Sequence, residues 1–345
     1  MITSEHTRVV AKSLSLAAAA AFFLTAHSGE AAAQLFARKT ITIYIGNTAG
    51  GSYDIYGRLI ARHLGRHLPG TPSVVASNKP GGGGIVASNY MAEVAPKDGT
   101  ALAVLVETVA LEQALEEPSV KYDATKFNWI GRVASSVNIH FQWHTSKVQS
   151  IADSQKIEST VAGTGPGNLA EIVPKVLNAT IGTKFKVVSG YPASNEGMMA
   201  MERGEVEGAA GSWAGIKVGK QEWLKDKKIK IILQDLPERN AELPDVQALG
   251  ELGTTPEQKG VLGIYAGNGV IGRSLSAPPG VPADTVKVLR AGFAAMIKDP
   301  EFIAEIKKLQ IDFDPATGEQ LQASTIKILD IPSGVRQRAK AILGR

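Results

Sequence analysis

From Thr40 onward the polar and apolar positions fall into two alternating patterns. Short β-branched and apolar runs, "TITIYIG", "PSVVAS" and "TALAVLV", are separated by longer stretches, "SYDIYGRLIARHLGRHL" and "IVASNYMAEVA", whose apolar residues recur at helical spacing. Strand and helix in alternation predict a largely parallel sheet covered by helices. A second series follows Asp153, with "STVAGT", "KFKVVSG", "VEGAAGSW" and "IKIILQ" as strands and "NLAEIVPKVLNATIG" and "NEGMMAMERGE" as helices. Between the two series, "NWIGRVASSVNIHFQWHT" reads as two extended segments without a helix, the pattern of a chain passing from one domain to another. Beyond Thr255 the pattern turns helical. The prolines of "SAPPGVP" cannot sit inside a helix and mark the connection by which the chain returns, with a new helix beginning near Asp284.

Length and composition add a compartment and remove several function classes. A chain of 345 residues, 44% hydrophobic and 20% charged, buries a sizeable core and fits two domains. At its start Arg8 and Lys12 precede "LSLAAAAAFFLTA", and small residues stand at Ala31 and Ala33, so residues 1–33 are expected to be a cleavable secretory signal and the mature chain to begin near Gln34. The apolar run falls short of the roughly 20 residues of a membrane span. Cysteine is absent, so stability rests on core burial, and a lipid-modified cysteine is excluded; a soluble periplasmic protein is expected. The net charge of +4 suits an anionic ligand. Nucleic acid would require concentrated basic clusters interleaved with aromatics, and the lysines of "WLKDKKIKIIL" are more simply the solvated end of a helix entering a strand.

The strand-to-helix junctions carry the chemistry. Gly50 and Gly51 precede a helix starting near Ser52, and such a turn presents free N–H groups and the positive end of the helix dipole to an anion. Asp54, in the first helical turn, either complements that dipole or orients a group at the site rim. "NKPGGGG" repeats the arrangement at the next junction, and both junctions lie at the carboxyl edge of the strands, where α/β sheets bind ligands. "GTGPGN", residues 163–168, is a third such turn, in the second series. Trp213 follows a strand and either lines a cleft or packs between domains; Met198, Met199 and Met201 read as core filling. "GNGVIG" matches G-x-G-x-x-G but lacks a strand before and a helix after it, and no phosphate loop or nucleophile elbow is present. His63 and His67 stand four apart without the glutamate of a metalloprotease helix, so packing or hydrogen bonding is expected of them and no metal or cofactor.

"GGSYD", "NKPGGGG", "APKDGTAL", "MERGEVEGAAGSW" and "APPGVPADTVKVLRAGFAAMIKDPEF", in that order, resemble the Bug family of extracytoplasmic solute receptors of tripartite tricarboxylate transporters, from about Ile41 to about Gln322. The resemblance implies an α/β, two-lobed periplasmic-binding-protein-like fold with a hinge, and not an enzyme. Its lobes would close on a small carboxylate and hand it to integral-membrane transporter subunits. It also implies which loops bind: Thr48, Ala49, Gly50, Gly51, Ser52, Tyr53 and Asp54 in the first, Pro80, Gly81, Gly82, Gly83 and Gly84 in the second, and the loop from Thr164 through Gly165 to Asn168 opposite. Tyr191, Ser212 and Trp213 are further candidates, read from their positions in this sequence. The chain departs from the family at Asn47, where an aromatic and a proline are usual, and at Asn168 and Leu169, where a serine and then a histidine are usual. The expected layout is a monomer with lobe 1 over 40–138 plus 270–345 and lobe 2 over 139–269. The rival readings are an exported hydrolase of small acids, for which a nucleophile and base in reach would be needed, and a receptor that feeds a signalling partner.

Overall fold

The computed structural model describes residues 35–344, and the expected signal segment lies outside them. Eleven strands appear among the described residues: β1 (Thr40–Ile45), β2 (Ser73–Asn78), β3 (Ala101–Val104), β4 (Asn128–Arg132), β5 (Asn138–Trp143), β6 (Ser159–Ala162), β7 (Phe185–Val188), β8 (Gly208–Ser212), β9 (Ile229–Gln234), β10 (Ser274–Ala277) and β11 (Ala316–Thr317). They form two sheets, one ordered β11-β4-β10-β3-β1-β2 and the other β7-β6-β8-β5-β9. Each sheet is flanked by helices, giving two lobes.

The expectation of mostly parallel sheets is corrected to mixed ones. β1 pairs in parallel with β2 and β3, and β6 with β7 and β8. The strands nearest the crossings run the other way: β10 is antiparallel to β3 and β4, and β5 to β8 and β9. β10 falls where the proline-rich connection was expected to begin. Its residues, "SLSA", carry little strand propensity, yet all four are buried between two neighbours. The hydroxyl of Ser276 donates to the carbonyl of Ala103 at 3.3 Å, which lets a polar side chain sit in a central strand.

In the first lobe Ile41, Ile43 and Ile45 alternate on one face of β1 and are fully buried. Tyr56, Leu59, Ile60 and Leu64 on helix Ser52–Leu64 cover them at helical spacing. Gly57 permits the close approach, because a Cβ there would lie 2.6 Å from Cδ1 of Ile45. Helices Ala283–Met296 and Pro300–Leu309 add Leu289, Phe293, Phe302 and Ile306 to the same core. The last helix, Ser333–Leu343, goes elsewhere. It packs on helices Leu169–Ile181 and Pro256–Ala266, with Ile331 and Ala339 in the second lobe's core.

Two crossings run side by side. The chain leaves β4 for β5 through Val133–Val137 and returns before β10 through Gly269–Arg273. The amides of Val133 and Ser136 donate to the carbonyls of Arg273 and Gly269 at 3.1 and 2.8 Å, and that of Arg273 donates back to Ala134 at 2.8 Å. Backbone pairing holds the two connectors as one short ribbon. Among the described residues no helix is long and apolar enough to cross a membrane.

Candidate functional site

A cleft of about 420 Å³ opens between the lobes at the carboxyl ends of β1, β3, β8 and β9. This is the edge at which open α/β sheets place their ligands. One side is formed by Asn47–Tyr53 and Val106–Thr108; the other by Gly167–Ala170, Ala193–Glu196, Met198, Met199 and Ser212. Asn138, Asp235 and Arg273 form its floor beside the crossings.

Two helix starts face into this space with their amides open. Helix Ser52–Leu64 begins after Gly51 and helix Ser194–Glu202 after Ala193, and neither has a side-chain cap. The first intrahelical bonds run from Ile55 to Gly51 and from Gly197 to Ala193, so the earlier N–H groups have no intrahelical acceptor. One such pole comes from each lobe. The third start, helix Leu169–Ile181, is capped by Asn168, whose side chain accepts from the amide of Ala170 at 2.9 Å.

The floor is ionic and dry. Arg273 is 2% exposed and Glu107 5%. The Arg273 Nη1 lies 3.3 Å from Oε2 of Glu107 and donates to Oγ of Ser136 at 2.9 Å, while Nε donates to Oγ of Ser52 at 2.6 Å. Its guanidinium carbon stands 4.0 Å from the ring centroid of Tyr53. Burial works against the charge on Arg273, but Tyr53, Glu107 and Tyr56 outweigh it and hold the pKa above its ordinary value. Burial, followed by the neighbouring Glu107, pushes the Tyr53 hydroxyl up, and that hydroxyl accepts from the amide of Glu107 at 3.1 Å. Asn138 donates through Nδ2 to the other oxygen of Glu107, so the pair ties β3's end to β5's start.

Of the residues expected to bind, Thr48, Ala49, Gly50, Gly51, Ser52, Tyr53, Asn168 and Ser212 stand together on the cleft lining. Asp54 stands behind the first loop. It accepts from the Gly50 amide, Arg58 and Asn78, each at 2.9 Å. Burial opposes its ionisation, but Arg58, Gly50 and Asn78 more than offset that and hold its carboxyl below the usual range. Trp213 also stands off the lining and donates through Nε1 to Glu242 at 2.5 Å. Tyr191 packs at the edge of the second lobe's core, and Thr164 is buried outside the lining. Met198 and Met201 are buried in the second lobe's core as expected, Met198 also touching the cleft, while Met199 is exposed on the cleft lining. His63 and His67 pair with Glu305 and Asp299 at 2.5 and 2.9 Å, and no group of acids and histidines among the described residues suits a metal.

The second glycine turn does something other than line the cleft. Gly81, Gly82, Gly83 and Gly84 all have positive φ, at 135°, 57°, 69° and 105°, a run that only glycine adopts without strain. This backbone carries the turn against the opposite lobe. A Cβ on Gly83 would lie 2.7 Å from the carbonyl carbon of Gly167 and 2.9 Å from the amide of Asn168, and one on Gly167 would meet the carbonyl oxygen of Gly82 at 2.8 Å. Thr108 adds a hydrogen bond to the Gly167 carbonyl at 2.6 Å. Gly82 and Gly83 therefore meet Gly165, Gly167 and Asn168 in a backbone-to-backbone contact across the lobes beside the cleft, while Gly81 packs on Val86 and Pro80 is exposed. Glu107, Asp235 and Arg273 were not singled out from the sequence. The available signal was position: Glu107 and Asp235 come just after the buried strands "ALAV" and "IKIILQ", where a charge stands at the ligand edge.

The family model described as "Tripartite tricarboxylate transporter family receptor" matches residues 57–330. The chain belongs to this receptor family. Its members are solute-binding proteins and not enzymes, as the resemblance in the sequence implied. A UPF0065 protein of Cupriavidus necator is 27% identical over 342 residues, covering 94% of this chain and 95% of its own. An R. palustris protein solved with adipate has a TM-score of 0.68 at 19% identity, over 88% of this chain and 97% of that one. MatC of Rhodopseudomonas palustris, solved with malate, has a TM-score of 0.63 at 18% identity, over 88% and 98%. At these identities the structural matches show the receptor fold.

Two outcomes test the site's architecture. Arg273→Met should lower the unfolding free energy in urea by about 3–5 kcal/mol, because it leaves Glu107 buried and unpaired, and adding Glu107→Gln should recover part of the loss. For Asp54, a depressed folded pKa means stability that is fully present above the unfolded value of about 3.9 and is lost as pH falls through the lower folded value. Asp54→Asn should therefore remove stability at neutral pH and flatten the stability profile below about pH 4 in acid titrations followed by circular dichroism.

Proposed function

We propose that this receptor works in the periplasm as a monomer, captures a small carboxylate between its lobes and delivers it to the integral-membrane subunits of a tripartite transporter. The observation that carries the reading is the pair of uncapped helix starts, Gly51–Tyr53 and Ala193–Glu196, one from each lobe and both opening into the same cleft. Unpaired amides at the positive ends of two helices suit a carboxylate, and they hold it best when both lobes are engaged. Adipate and malate in the solved relatives are small carboxylates of this kind.

The ribbon of Val133–Val137 with Gly269–Arg273 is the natural hinge of this proposal. Its few backbone bonds let the lobes rotate, while Arg273 and Glu107 anchor the floor. Closure brings the Gly83 and Gly167 backbones together and removes water from around the bound anion. The membrane subunits would then recognise the closed surface.

Thermal unfolding of the mature protein against small carboxylates checks the reading. A ligand at 100 times its dissociation constant should stabilise it by about 2.7 kcal/mol, and a response confined to neutral sugars or peptides would reject it. Gly83→Ala should leave the far-ultraviolet circular dichroism unchanged and weaken binding by about tenfold or more, since the added methyl at φ 69° meets the opposite backbone on closure. Unaltered affinity in titration calorimetry would separate that turn from closure.

A further inference from the structure

Helix Trp213–Gly219 belongs by chain order to the second lobe, between β8 and β9, yet it packs on the first. Ala214 is buried in the same core cluster as Tyr53 and Tyr56, and Val218 packs against that cluster. Beyond this apolar contact the helix carries Lys217, whose Nζ donates to Oδ1 of Asp312 at 2.8 Å and to Oε2 of Glu242 at 2.7 Å. Glu242 lies in the same lobe as Lys217; Asp312 lies in the other. Burial works against the charge on Lys217, but Asp312 and Glu242 outweigh it and hold its pKa above the ordinary value. Asp312 is a fixed anchor. Its carbonyl accepts from the Tyr56 hydroxyl at 2.8 Å, which ties it to helix Ser52–Leu64, and two residues on the amide of Asp314 donates to the carbonyl of Val133 at 3.0 Å. Arg132, where β4 gives way to the crossing, donates to the carbonyl of Asp314 at 3.1 Å and to its Oδ2 at 2.7 Å. Lys217 and Asp312 both stand off the cleft lining.

We propose that Lys217 is a positioning residue for binding: its ion pair with Asp312 straps the second lobe to the first and sets, from outside the cleft, the share of molecules in which the lobes stand together. The inference rests on the hinge reading above and not on which solute is bound. An ion pair this accessible adds little to folding. Two lobe arrangements joined by a hinge are separated by far less than folded and unfolded chains, so the same small increment moves their balance. The strap acts on both walls of the cleft at once. Ser212, which caps helix Trp213–Gly219, lines the cleft from one side, and helix Ser52–Leu64, to which Asp312 is tied, opens into it from the other.

The chain has no cysteine, so nitroxide labels attach only where Ser77→Cys and Ser189→Cys place them. Both serines are exposed, Ser77 near the carboxyl end of β2 and Ser189 just past that of β7, the outer strand of each sheet on its own lobe. Double electron–electron resonance on the labelled mature protein, with no carboxylate added, reads the distances between the lobes. Lys217→Met and Asp312→Asn should each raise the ratio of long to short distances about twofold to fivefold, the range an accessible ion pair supplies, while keeping the melting profile of a folded protein. Lys217→Arg, which keeps the charge, should hold the original ratio. Salt at about 1 M, where the screening length falls to about 3 Å, should raise the ratio in the protein that retains Lys217 and leave Lys217→Met unmoved. Ratios unchanged in the folded variants, with or without a lower melting temperature, would overturn the strap and leave the hinge standing. A single distance in every variant at both salt concentrations would overturn both.

Discussion

A guanidinium with almost no access to water survives only where anions and acceptors replace its hydration, and around Arg273 that replacement comes from three parts of the chain. Ser52 belongs to the first binding loop, Ser136 to one crossing, and Glu107 to the end of β3, which reaches on to Asn138 in the second sheet. Stripping water from both ions costs several kcal/mol, so the arrangement is rewarded only in one geometry. That geometry fixes the cleft floor, the angle at which helix Ser52–Leu64 presents its amides, and the join of the two crossings. Water exclusion then strengthens whatever electrostatics the cleft applies to a ligand.

Much of this was legible before the structure. The three apolar runs of the first series became β1, β2 and β3, and those of the second became β6 to β9, because short apolar runs bounded by turn residues read as strands whatever their partners. The turn "TAGGS" was readable as a cleft element because its chemistry is local: glycine, an open helix start and a carboxyl edge lie within a few residues. β10 was not readable. Its buried hydroxyls are satisfied by carbonyls, Ser274 at Ile271 and Ser276 at Ala103, 173 positions away, and neither that second bond nor its pairing with β3 and β4 is local.

The same divide explains the errors at the site. Asp54 was open between the helix dipole and the site rim from its place in the helix, and Asn78, on the adjacent strand, helps make it a brace for the Gly50 amide. Met199 looked like core because methionine fills cores; that it stands exposed on the cleft while Met198 and Met201 are buried depends on how the lobes sit together. Arg273 was concealed by its neighbourhood, a glycine motif dismissed for want of a strand and a helix. Those glycines serve the crossing: Gly269 and Gly272 let it lie flat against Ala134–Ser136. Family membership, by contrast, was readable because it rests on the order of several segments over most of the chain.

The contact of Gly82 and Gly83 with Gly165–Asn168 has an evolutionary reach of its own. Because peptide groups form much of this latch, side-chain replacement elsewhere in the cleft leaves its shape intact. Lining side chains such as Asn195 or Met199 can therefore change without altering the shape of that backbone contact. Substitution within the glycine run itself has no such freedom, since every position there is confined by its own dihedral angle. Lining chemistry and latch shape are thus separately mutable, and the glycine run is what keeps them apart.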